Sequence, residues 1–199
     1  MKKMLTKLAL TLMLAGLSTS YADDIQLGIP GYGGTGCPAG TVSATLSPDQ
    51  KELSLIFDQF VAEAGQSSGK SIDRKSCNLA IPVHVPQGFS VSIIDVDYRG
   101  FVSLPSQARA TLTASYFFAG QRGPTFSRNF VGRTDQDYLF TNTLGVAALV
   151  WSRCGDDVNL RINSSMLVRT NSRREDALAT VDSVDLSAGI IYKLQWRRC

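Results

Sequence analysis

The 199-residue chain has one histidine, His84, and three glutamates, Glu52, Glu63 and Glu175. That scarcity narrows the chemistry. A Ser-His-Asp triad needs an imidazole between nucleophile and acid, and His84 is the only base on offer. It alternates with Val83 and Val85, so it reads as a hydrogen-bonded strand residue on the face opposite two apolar ones. No G-x-S-x-G elbow is present to present a serine. The four cysteines, Cys37, Cys77, Cys154 and Cys199, include no C-x-x-C pair, which argues against zinc. The glycine-rich stretch from Gly28 to Gly40 lacks the Gly-Lys-Ser/Thr ending of a phosphate loop. No cofactor is implied.

Long apolar runs are also missing. The one continuous run, Leu8 to Leu17, is about half of the roughly 20 residues a spanning helix needs. Lys2, Lys3 and Lys7 precede it and Ser20-Tyr21-Ala22 follows, so residues 1–22 read as a signal peptide cut after Ala22. No transmembrane segment is expected elsewhere. The segment also owns the excess charge. Three of the 20 Lys+Arg lie in it and none of the 17 Asp+Glu, which leaves 17 of each in the mature chain. A net charge of zero gives no basic footprint for a nucleic-acid partner. Arginine still outnumbers lysine 13 to 4 after the signal.

What is present points to an exported, disulfide-bearing protein, secreted or periplasmic. Four cysteines allow three pairings. We favour Cys37–Cys77, which ties down the Gly/Pro-rich arm at 23–40, and Cys154–Cys199, which pins the last residue. Each closes a loop worth about 4 kcal/mol of chain entropy.

The remaining residues, 41–199, read as one all-β domain. Val42, Ala44 and Leu46 alternate with polar residues. Ser47-Pro48-Asp49-Gln50 suits a type I turn or a helix start. The apolar spacing of residues 53–64 by itself favours a helical face, since a strand needs a phase change at Phe60, but the surrounding β pattern decides for strand. Asn78 to Val85, with Pro82 and Pro86, suits a sheet edge. Phe89, Val91 and Ile93 point one way and Ile94, Val96 and Tyr98 the other, so a β-bulge is expected at Ile93–Ile94. Residues 110–118, 158–163 and 190–197 alternate cleanly, and the nearly all-apolar Thr143 to Trp151 reads as a central strand. The sum is an antiparallel β-sandwich stapled by two disulfides.

Several motifs are familiar. They are Gly36-Cys37-Pro38-x-Gly40-Thr41, Ser47-Pro48-Asp49 ahead of Leu53 to Phe60, Arg74-Lys75-x-Cys77-Asn78-Leu79, and Pro86-x-Gly88-Phe89-Ser90 leading to Asp97-Tyr98-Arg99-Gly100. Together they resemble domain of unknown function 4360, a family of secreted bacterial and fungal proteins, over nearly all of 36–199. The resemblance implies a secreted, mostly β domain and a hairpin within 47–64. It carries no catalytic residues with it.

Candidate chemistry is therefore sparse. Asp95/Asp97, Asp135/Asp137, Asp156/Asp157 and Asp182/Asp185 are the acidic clusters, and a small hydrolase using surface carboxylates is the alternative reading. The stronger candidate is the stretch from Ala119 to Asn142. There Arg122, Arg128 and Arg133 interleave with Phe126 and Phe130, a composition suited to envelope polysaccharide or an extracellular protein. The reading is a non-catalytic binding or cell-surface-associated domain, with Arg122, Phe126, Arg128, Phe130 and Arg133 as its speculative ligand-binding residues.

Overall fold

In a computed structural model the protein is described over residues 26–145, 149–181 and 189–199. The signal segment and the Asp182/Asp185 pair lie outside these residues. The described residues contain thirteen strands and no helix: β1 Gln26–Leu27, β2 Gly31–Gly33, β3 Val42–Leu46, β4 Glu52–Phe57, β5 Val61–Ala64, β6 Ile72–His84, β7 Phe89–Leu104, β8 Arg109–Phe118, β9 Thr125–Val131, β10 Thr134–Thr143, β11 Val158–Arg169, β12 Ala177–Thr180 and β13 Ile190–Arg198.

They form two antiparallel sheets, a sandwich. One runs β1-β6-β11-β8-β9, with β2 also on β6. The other runs β3-β4-β13-β7-β12-β5, with β10 on the opposite margin of β7. Alternation sends Leu79, Ile81, Leu112, Ile162 and Met166 inward from the six-stranded sheet and Leu53, Leu55, Val96, Tyr98 and Tyr192 inward from the seven-stranded one. Tyr116 meets Tyr192 edge to face across the interior, their ring centres 5.9 Å apart.

Both expected disulfides are present, Cys37–Cys77 and Cys154–Cys199, with Cα atoms 5.3 and 6.0 Å apart. The Ser47–Gln50 turn closes the β3–β4 hairpin through a 2.9 Å bond from the Gln50 N–H to the Ser47 carbonyl. The bulge falls where the phase slip put it. Lys193 faces Asp95 and Leu194 faces Ile93, so Ile94 is the extra residue. Its carbonyl accepts the Leu144 N–H at 2.8 Å.

Two expectations need correction. The glycine-rich arm is not wholly irregular, because β1 and β2 pair with β6. That pairing makes β6 the strand next to the margin, with short cover on the side where Pro82 needs no donor. Thr143 to Trp151 is not a central strand. Among its described residues Thr143 ends β10 and Trp151 forms a lone bridge to Ser92. Its run of apolar residues packs Leu144 and Val150 on the core from outside the strands, and periodicity cannot separate the two cases. The stretch Ala119–Asn142 is mostly strand, holding β9 and most of β10.

Candidate functional site

β9 and β10 are the free margins of the two sheets, and they lie along the same side of the sandwich. Register decides which way their side chains point. Phe126, Arg128 and Phe130 face the same side as Ala114, Leu112 and Ala110, which is inward. Tyr138 and Phe140 face inward from β10 beside Gly100 and Tyr98. The rings fill the open side. Phe126 stacks on Tyr98 with centres 5.0 Å apart, Phe140 lies 5.3 Å from Tyr98, and Phe130 lies 4.9 Å from Tyr138. Arg128 closes the mouth with its guanidinium 5.5 Å from the Phe140 ring. At one end the Asn142 amide donates to the Tyr116 hydroxyl at 2.7 Å, and burial still pushes that phenol up to about 12.

Phe126 and Phe130 therefore spend their faces on other rings of the protein. Arg122 and Arg133 are exposed at opposite ends of β9, and Arg128 sits between them. At about 3.3 Å per residue the three spread over at most roughly 36 Å. They form a row along the margin of the six-stranded sheet.

That row borders a face the sequence reading missed. The outward residues of the six-stranded sheet can be read from its registers. One line across it is Arg74, Leu167, Thr111 and Asn129; the next is Ser76, Ser165, Thr113 and Ser127; the next is Asn78, Asn163, Ser115 and Thr125. Arg161 lies beyond Asn163 on β11, and Arg169 lies directly opposite Arg109. No Asp or Glu faces outward from β6, β8, β9 or β11. Among the described residues none of these arginines is in an ion pair. Glu175, in the turn after β11, is taken by Arg173 and Asn171. The polar side of each strand signals such residues individually. Only strand pairing shows that Arg74, Arg109, Arg161 and Arg169 share a face, while Arg128 turns to the other side of β9.

The acidic clusters lie elsewhere. Asp95, Asp97, Asp135 and Asp137 face outward from β7 and β10 on the seven-stranded sheet. Asp157 contacts His84 Nδ1 at 2.6 Å at the far end of β6. Burial raises the Asp97 carboxyl, but the Thr141 hydroxyl at 2.5 Å and Lys193 at 3.0 Å overcome it and hold the group below its usual range. Asp49, Asp73, Glu175 and Asp176 are lowered as well. Lowered carboxyls are acceptors at neutral pH, whereas a general acid needs a raised one.

Comparison with known proteins places the chain. A family model described as Domain of unknown function (DUF4360) matches residues 23–199. An "Uncharacterized secreted protein" of Arthroderma benhamiae is 39% identical over 169 residues, 84% of this chain and 69% of that protein. Among solved structures, TmCBM61 in complex with β-1,4-galactotriose aligns over 85% of this chain and 88% of its own at 12% identity. Its TM-score is 0.29, which is too low to carry an argument. Paired cysteines and a secreted relative make this a secreted or periplasmic protein.

Proposed function

The chain belongs to the DUF4360 family, a domain of unknown function, and from that premise we propose that it is a non-catalytic binding domain for anionic polysaccharide. The outer face of the six-stranded sheet is the binding surface, and the exposed Arg122 and Arg133 flank it at the two ends of β9, with Arg128 at the margin on its inner side. Phe126 and Phe130 hold that margin in place from beneath.

One observation carries the reading. Arg109 and Arg169 stand directly opposite each other on adjacent strands, and no outward residue of β6, β8, β9 or β11 is a carboxylate. Like charges so placed destabilise a sheet. A bound polyanion would remove that repulsion. Guanidinium forks bind carboxylate and sulfate groups bidentately. The Ser, Thr and Asn side chains between them exchange hydrogen bonds with sugar hydroxyls. In an exported protein, a polysaccharide of the envelope or its surroundings is the polyanion within reach.

The test pairs binding with stability. The double variant R109Q/R169Q should lower affinity for polygalacturonate at least tenfold and flatten its salt dependence. The same variant should melt at an equal or slightly higher temperature. Neutral dextran should not bind either form. Wild-type affinity in the variant, or equal retention of duplex DNA and polygalacturonate, would sink the assignment.

A further inference from the structure

The seven-stranded sheet carries a second site, of opposite charge. Near one end its strands β5, β7 and β12 lie side by side, and the turns around 65–71 and 171–176 rise next to them. Between them is a cavity of about 310 Å³. That is the lower end of the range for small-ligand pockets. Phe101 and Leu178 give it an apolar floor. The Glu63 and Asp176 carboxylates and the Ser67 and Ser103 hydroxyls stand around that floor. Among the described residues no lysine or arginine lines it.

Two further carboxylates lie alongside. Asp137 is the cross-strand neighbour of Phe101, and Asp135 that of Ser103, all on the outward face. Directly opposed side chains are about 5 Å apart at Cβ. Asp176 is held rigidly. It accepts the Ser67 N–H at 2.9 Å and the Ser67 hydroxyl at 2.5 Å, and any side chain at Gly65 would run into it. Those two bonds keep it ionised.

A ligand here must supply three things. It needs positive charge for the carboxylates, because a neutral ligand would cover them without compensation. It needs an apolar face for the Phe101 ring. It needs hydroxyls for the serines. A bare lysine side chain meets the first demand and leaves the serines unused. We propose that the cavity binds an amino sugar: the C–H face of a glucosamine unit lies on Phe101, its ammonium meets Glu63 and Asp176, and its hydroxyls meet Ser67 and Ser103. The arginine face plays no part, so this site stands or falls independently of the polyanion reading.

The experiment is a titration of the mature, disulfide-intact chain followed by NMR and calorimetry. The probes are the β-1,4-linked glucosamine trimer, its fully N-acetylated counterpart and n-butylammonium. The glucosamine trimer should shift resonances of β5, β7 and β12 and bind at least tenfold more tightly than either control. E63Q and F101A should each weaken it at least tenfold. E63Q should keep the wild-type melting temperature, which separates a lost contact from a lost fold. R109Q/R169Q should bind it as the wild type does. Equal binding of the acetylated trimer removes charge as the determinant and overturns the proposal. So does equal binding of n-butylammonium, which would mean the site reads charge alone, or a response confined to other strands.

Discussion

Asp97 shows how a single outward residue is tied into the sheet. It faces outward from β7, accepts from Thr141 on β10 and pairs with Lys193 on β13. It therefore bridges three strands. Because its folded-state pKa is lowered, its contribution is present above the unfolded value of 3.8 and is lost as pH falls through the folded one. D97N should destabilise the chain by about 1 kcal/mol at pH 7, as expected for a partly buried charged hydrogen bond. Urea melts at pH 7 and pH 2.5 check this: the deficit should be smaller at the lower pH. Gly100, three residues on, has the opposite task. It keeps the β7 backbone bare so that Tyr138 can lie over it and donate to the Thr180 carbonyl at 2.6 Å.

At the scale of elements, β9 and β10 explain why their composition stood out. They are sheet margins, where unpaired backbone invites another strand. Asp135 and Asp137 put charge on the outer face of β10, and the rings of both strands seal the gap between the sheets. Phe126 should therefore behave as a packing residue. F126A should cost about 2 to 3 kcal/mol, the lower part of the range for a large aromatic because the ring is only half buried. R122A, on an exposed turn, should leave the melting temperature unchanged within about 1 °C, as surface substitutions do. Calorimetric melts of the two variants decide between packing and contact roles. From sequence the aromatics either pack on the sandwich beneath solvated arginines or join them in a binding cluster, and the packing alternative is the one the pattern favours. Strand alternation puts Phe126, Arg128 and Phe130 on the inner side, where the phenylalanines are consumed by Tyr98, Tyr138 and Phe140.

The whole molecule is polarised. Residues 23–199 carry no net charge, with 17 basic and 17 acidic side chains. Yet no acid faces outward from β6, β8, β9 or β11, while the seven-stranded sheet presents Glu52, Glu63, Asp97, Asp135 and Asp137 against Arg99 and Lys193. A neutral protein with mixed charge passes ion exchangers freely. This one should be retained at pH 7 and low salt on both cation and anion exchangers, each through one face. R109Q/R169Q should lose the first retention and keep the second. Flow-through on both resins would contradict the charge separation.

The chain itself determined the β class, both disulfides, the hairpin at Ser47–Gln50 and the bulge at Ile94. All of these follow from local patterns: alternation, turn chemistry, and cysteines set far apart in the chain. The family was legible too, because its motifs are contiguous. What the chain could not determine was which residues share a surface. Arg74, Arg109, Arg161 and Arg169 are far apart in sequence, and only the pairing of β6, β11 and β8 aligns them. Glu63, Phe101 and Asp176 meet for the same reason, through β5, β12 and β7. Alternation tells a residue's side of its own strand, but a face is a property of neighbouring strands. Register is fixed by long-range packing, so both candidate sites came into being only with the tertiary structure.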